Sequence, residues 1–258
     1  MQIRPLHPLF AAEVTGLDLA VPPPAALLEA LHDAFLDHAV LLIRGQGLSG
    51  EAQAELTRRL AALEAERLLA RSLLDPPALR VSLGDGPGDG GAGAAWHADH
   101  THDAEPSLAC LAYAAATGGA IRFADQRAAL AALPPSLRTR AEGLRAEHRG
   151  PTGPAEHPVV RRHPITDEAA LFVNPGFTRR VLNLPQAESA ALLGTLFAAA
   201  TAPAVGFAHE CRVGDLLVWD NRAVLHTGGA GGALRRTRIG GDRPAAAHAL
   251  DMPWVVAG

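Results

Sequence analysis

Trp96-His97-Ala98-Asp99-His100-Thr101-His102 and, far downstream, Trp219-Asp220-Asn221-Arg222-Ala223-Val224-Leu225-His226 are the two stretches on which this chain turns. On an extended segment, residues i and i+2 point to one face. An imidazole at His97 and a carboxylate at Asp99 would then converge. Ala223-Val224-Leu225 reads as a short buried strand that ends on His226. If the two segments pack side by side, the three side chains form a two-histidine, one-carboxylate set. Such a set grips iron on one side and leaves three cis positions open. Two other readings stand beside it. With twelve histidines in the chain, a His-x-Asp pair also arises by chance as surface polar residues at a strand end. Alternatively, His97 and His102 could ligate zinc. If the strand continues, His100 and His102 lie on opposite faces.

Outward from these stretches, short strand candidates alternate with turns. They are Leu108 to Ala115, Ile121 to Ala124, Val159 to Arg162 paired with Ala170 to Asn174, Asp215 to Trp219, and Leu234 to Ile239. The last lies across a Gly-rich turn from the strand that ends on His226. Helical periodicity marks 24–38, 49–70 with Ser49 as N-cap, 126–144 with a break at Pro134-Pro135, and 186–200 after Pro185. Ala39 to Ile43 is a buried strand between the first two helices. From Leu83 to Ala95 the chain is Gly-rich and should hold no packed element. Residues 84–95, feeding straight into Trp96, are either a plain linker or a lid over the site. Helices dominate the beginning and strands the rest, so the class is α+β, a β-sandwich or barrel backed by helices. With 258 residues, one domain spanning 1–258 is expected.

Composition narrows the partners. A net charge of −4 with no long basic run argues against nucleic acid. No apolar run reaches the length of a membrane span, and the first ten residues do not read as a signal peptide. Cys110 and Cys211 fit neither a disulfide framework nor a metal spacing, which points to a reducing, cytoplasmic setting.

Several motifs then agree at once. WHADHTH (96–102), GGAIRFAD (118–125), HPVVRRHPITDEAALFVNPGF (157–177) and the run on to Pro185, WDNRAVLHTGG (219–229) and RRTRIGGDRP (235–244) come in order. Together with IRPLHPLFAAEVTGLDL (3–19) and HAVLLIRGQGLS (38–49), they resemble the taurine dioxygenase and 2,4-dichlorophenoxyacetate dioxygenase family over nearly the whole chain. The resemblance implies a double-stranded β-helix (jelly roll) with flanking helices. It implies Fe(II) on His97, Asp99 and His226, and 2-oxoglutarate as cosubstrate. It also implies O2-dependent oxidation of a C–H bond of a small organic molecule, by a chain that could form a homo-oligomer. Retention of Asp99 favours hydroxylation over halogenation.

The chain departs from that family in two places. The family's cosubstrate arginine falls either at Gly232 or near Arg235 and Arg236, depending on the end from which one aligns. Arg236 is the expected carboxylate fork, with Arg238 in reserve because both share one strand face; Arg235 is expected to be solvated. Ile121 stands where the family often has threonine beside the same carboxylate, and isoleucine donates nothing. A second reading therefore stays open, an Fe(II) oxygenase that uses O2 without 2-oxoglutarate and whose substrate chelates the iron itself. The Gly/Ala run before Trp96 lacks the polar contacts of taurine-using relatives, so taurine is not the expected substrate. His100, His102 and Asn174, with Arg236, are the candidates for substrate contact. Phe172, Phe177 and Trp219 read as core, and Asp220 and Asn221 as braces of the turn before His226.

Overall fold

The structure, a computed structural model, describes residues 1–71, 78–85, 94–228 and 234–247. In chain order the strands are β1 (Gln2–Pro5), β2 (Ala12–Thr15), β3 (Val40–Ile43), β4 (Arg80–Asp85), β5 (Ser107–Ala114), β6 (Ala120–Asp125), β7 (Arg145–Gly150) and β8 (Gly153–Pro158). They continue as β9 (Val160–Arg162), β10 (Ala169–Leu171), β11 (Thr178–Val181), β12 (Gly206–Glu210), β13 (Leu216–Asp220), β14 (Val224–Gly228), β15 (Leu234–Gly240) and β16 (Ala245–Ala246). The helices are α1 (Ala25–His38), α2 (Gly50–Arg71), α3 (Gln126–Ala131), α4 (Pro135–Glu142) and α5 (Gln186–Ala200). This is a mixed α+β architecture.

A seven-stranded sheet runs in the order β1-β2-β3-β13-β5-β15-β4, and a three-stranded sheet runs β12-β6-β14. The apolar runs of the large sheet are buried on both faces, and alternation deals their residues to two cores. Leu41, Ile43, Ala109, Leu111, Tyr113, Leu216 and Val218 pack under α1 and α2. Val40, Leu42, Cys110, Ala112, Ala114, Leu217 and Trp219 turn the other way and meet Ile121, Phe123 and Val224 of the small sheet. A third cluster seats α3 and α5 with Leu171, Val181 and Leu225. The inner face of β5, toward the small sheet, is small-chained at Cys110, Ala112 and Ala114.

Ser49 caps α2 as expected, accepting from the Ala52 amide at 3.0 Å. The break at Pro134-Pro135 separates α3 from α4. Elsewhere the structure corrects the sequence. Leu83 to Asp85 belong to β4, paired in register with Arg235 to Thr237, because an edge ladder needs only backbone groups. Residues 86–93 of the expected lid lie outside the described residues. The strands that end on His226 and begin at Leu234 are not partners. β14 pairs with β6, and β15 with β5 and β4. Gly228, at φ +91°, sits at the end of β14, where a Cβ would meet the Ala120 carbonyl at 2.3 Å. Strands β7, β8 and β11 escaped notice because charged residues, prolines and histidines break their apolar alternation.

Candidate metal centre

His97 and His226 exchange both backbone hydrogen bonds, His97 N to His226 O at 3.0 Å and the reverse at 2.8 Å. This isolated antiparallel bridge sets the imidazoles side by side, with ring centroids 4.3 Å apart. Asp99 reaches the same point by a different route from the one alternation suggests. The extended backbone ends at His97, and the chain turns at Asp99 and His100, the latter at φ +59°. The Asp103 amide donates to the His100 carbonyl and closes the turn. Asp99 Oδ1 then lies 3.7 Å from His97 Nε2 and 3.5 Å from His226 Nε2. All three side chains are buried, and their donor atoms lie within 4.8 Å of one another.

His97 Nε2, Asp99 Oδ1 and His226 Nε2 have no hydrogen-bond partner. Buried polar atoms are almost always paired, and these three face one another. Metal–donor bonds of about 2.1 Å put neighbouring donors about 3 Å apart, so a small tightening would seat a divalent ion among them. The side chains are prepared for that. His97 Nδ1 faces the Ala95 carbonyl at 2.8 Å, which fixes its proton there and leaves the Nε2 lone pair inward. Burial, reinforced by His97 and opposed by Asp99, pushes His226 down to about 4, so its imidazole is neutral. For Asp99, burial works upward, but His226, His97 and Arg238 outweigh it and hold the carboxyl well below its usual range.

Asn221 is the part of the centre that the sequence placed only loosely. It braces Asp99 itself rather than just its own turn. Its Oδ1 accepts from the Asp99 amide (3.2 Å) and from Trp219 Nε1 (3.1 Å), and its Nδ2 donates to Asp99 Oδ2 (3.3 Å). Trp219 is core, as expected, yet its ring also walls His226 at 4.8 Å. Phe177 is buried and meets His97 edge-on at 6.0 Å. Phe172 packs against His148 and His157 instead of the three candidate ligands.

Arg236 and Arg238 both turn into the interior and are buried. Arg235, expected in solvent, is instead half-buried on the opposite face. It donates to Gln53 Oε1 and the Leu48 carbonyl and lies over Tyr113, joining α2 to β15. Ile121 is fully buried within the inner apolar cluster, and Arg122 points away from it into solvent. Asn174 is committed elsewhere: its amide accepts from the Phe177 backbone (2.8 Å) and donates to Thr101 (3.1 Å), bracing a turn. His100 faces Ser107 at 3.0 Å. His102 packs on Phe177 at 4.6 Å and against Gly150, and does not join the three-residue group.

Beneath the turn after β13 lies a buried ion network the sequence did not disclose. Arg222 donates to Asp220 through Nε and Nη2 and to Glu64 through Nη1. His32 faces Glu64 at 2.6 Å and His163 faces Asp220 at 3.0 Å. It ties both N-terminal helices and the β9–β10 turn to the residue next to Asn221.

Residues 2–238 match the model of the family described as Taurine catabolism dioxygenase TauD, TfdA family. The alpha-ketoglutarate-dependent 2,4-dichlorophenoxyacetate dioxygenase of Cupriavidus pinatubonensis is 32% identical, covering 87% of this chain and 91% of that protein. A taurine dioxygenase structure from Burkholderia xenovorans superposes with a TM-score of 0.79 at 28% identity, covering 95% of this chain and 92% of the other. The structure of AAD-2 in complex with Mn(II) and N-oxalylglycine gives 0.76 at 25% identity, covering 94% and 98%. With a bridged pair of histidines, a carboxylate turned toward them and a match over nearly its full length, the chain belongs to the TauD/TfdA dioxygenase family.

Proposed function

We propose that this chain is an Fe(II)- and 2-oxoglutarate-dependent dioxygenase that oxidises a C–H bond of a small organic molecule. Its two facing sheets are then the halves of a double-stranded β-helix. The observation that carries this reading is the trio of buried, partnerless atoms: His97 Nε2, Asp99 Oδ1 and His226 Nε2. Three such atoms are unfavourable unless a cation fills the space between them. Two imidazoles and one carboxylate suit iron(II) with open positions. When bound, iron with a 2-oxo acid and dioxygen supplies the oxidising power that breaks the C–H bond, as the acid is decarboxylated.

The chain's own residues do the positioning. The Ala95 carbonyl aims His97, the shared bridge aims His226, and Asn221 fixes Asp99 so that Oδ1 faces the imidazoles. Trp219 and Phe177 pack the two rings and exclude water. Arg236, buried with its Nε unpaired, is the receptor for an acid carboxylate. Relatives are named as dioxygenases of 2,4-dichlorophenoxyacetate, (S)-phenoxypropionate and sulfate esters. A substrate of similar size is proposed here.

Ile121 favours a second reading. Its buried, apolar side chain gives a cosubstrate carboxylate no hydroxyl, which suits a substrate that chelates the iron directly and needs only dioxygen. Anaerobic titration of the Fe(II) protein with 2-oxoglutarate separates the two. A weak visible charge-transfer band, and succinate formation requiring both iron and 2-oxoglutarate, are expected; both should vanish in His226→Ala. Iron-dependent substrate oxidation without that band would favour the second reading. Absence of stoichiometric Fe(II) binding would end both.

A further inference from the structure

Strand β15 sends Arg236 and Arg238 into the interior two residues apart, but their surroundings differ. Arg238 sits across from Cys110, and Arg236 one pleat farther on, across from Ala112. Arg238 Nε lies 3.8 Å from Asp99 Oδ2, the oxygen that Asn221 already holds. Asp99 Oδ1, which faces the imidazoles, receives no donor. Arg236 has no carboxylate beside it among the described residues. Its Nε is buried without an acceptor, and its end of the interior is walled by Ala112, Leu234 and Ile121. A buried guanidinium in apolar surroundings calls for an anion.

We propose that, given the metal reading above, the two arginines divide their work. Arg238 is a positioning residue that holds Asp99 to a single metal-facing oxygen and tempers its strength as a donor, and leaves the cosubstrate carboxylate to Arg236 as already proposed. The physical basis is competition for one negative charge. With no metal bound, the Arg238 guanidinium is the positive side chain beside the buried Asp99 carboxylate, 3.8 Å from Oδ2. Once a divalent ion arrives, the same guanidinium draws on the same carboxylate and repels the ion. Removing Arg238 therefore destabilises the metal-free protein and tightens metal binding. Removing Asn221, which only orients, loosens it.

The test uses Mn(II) in place of iron, so that binding is read without turnover. Wild type, Arg238→Met, Arg238→Lys and Arg236→Met are titrated with Mn(II), and the loaded proteins then with 2-oxoglutarate by calorimetry. Arg238→Met should bind Mn(II) about tenfold more tightly, the effect of removing a like charge beside the ion, and melt lower when metal-free. It should keep its 2-oxoglutarate affinity within about threefold, and Arg238→Lys should restore the wild-type metal affinity and melting temperature. Arg236→Met should lose at least about tenfold in 2-oxoglutarate affinity while its Mn(II) affinity moves less than about threefold. The assignment is overturned if Arg238→Met loses 2-oxoglutarate while Arg236→Met keeps it, or if Arg238→Met leaves Mn(II) affinity unchanged or weaker. If wild type takes up no Mn(II), the metal reading itself fails, and that shows before any variant is compared.

Discussion

Two buried polar clusters lie on either side of the Trp219-to-Arg222 turn, and they are built on opposite plans. The network of His32, Glu64, Arg222, Asp220 and His163 is closed. Carboxylates, guanidinium and imidazoles are matched by short contacts, with only His32 Nδ1 left over. The cluster of His97, Asp99, His226 and Arg236 is open, with five buried nitrogen and oxygen atoms lacking partners. Both lie in the interior, where unpaired polar atoms are expensive. A complete network is therefore read as structure, and an incomplete one as a place awaiting a ligand. Asn221 and Arg222 are adjacent in sequence and serve one cluster each.

The largest expected effect breaks the closed side. Arg222→Met strands Asp220 and Glu64 as buried anions and should cost about 3–5 kcal/mol of unfolding free energy, measured by urea denaturation with and without metal. A loss below about 1 kcal/mol would mean the network does not hold the turn. Acid should weaken the same side next. Burial pushes Glu64 upward, but Arg222 and His32 outweigh it and hold the carboxyl at about 2; Asp220 is also held low. Burial, with Arg222, lowers His163. In every case the unfolded chain binds protons more readily than the fold, so stability is full above the ordinary histidine pKa of 6.5, begins to fall below it through His163, and falls further as pH drops from about 4.5 toward 2 through the carboxylates. Glu64→Gln should flatten that slope in denaturation curves taken at stepped pH, and an unchanged slope would remove Glu64 from the account.

The border residue comes third. Asn221→Ala should weaken Mn(II) binding about 10–100-fold, the usual effect of losing an orienting partner, with a smaller change in unfolding free energy. A large stability loss with metal affinity intact would place Asn221 on the closed side instead. The smallest effect sharpens the open side. Ile121→Thr adds a hydroxyl beside the proposed acid site and should tighten 2-oxoglutarate binding by about 1 kcal/mol, the net value of one hydrogen bond. No tightening by calorimetry would place the carboxylate away from Ile121.

The secondary structure was legible where periodicity is strong. α1, α2 and α5, the Pro134-Pro135 break and strands β3, β5, β6, β13 and β15 all follow from apolar spacing and caps. β7 and β8 were not legible, because Glu147, His148, Glu156 and His157 interrupt the pattern. Nor was Arg235, which charge alone assigned to solvent, although its stem and guanidinium bridge α2, Tyr113 and β15.

By itself, the sequence determined the strongly periodic elements, the α+β class, the family and the three candidate metal residues, because these rest on local spacing and on motifs carried in linear order. Only the tertiary structure decided how those three meet, through a backbone bridge at His97 and a turn at His100 rather than through strand alternation. It alone decided that Asn221 serves Asp99 and that Asn174 serves a turn. It alone placed Glu64, far along the chain, against Arg222. The physical reason is that a side chain's partner is whatever the packed fold brings within hydrogen-bond reach, and for buried polar groups that partner sits on a different element, at a separation no local pattern encodes.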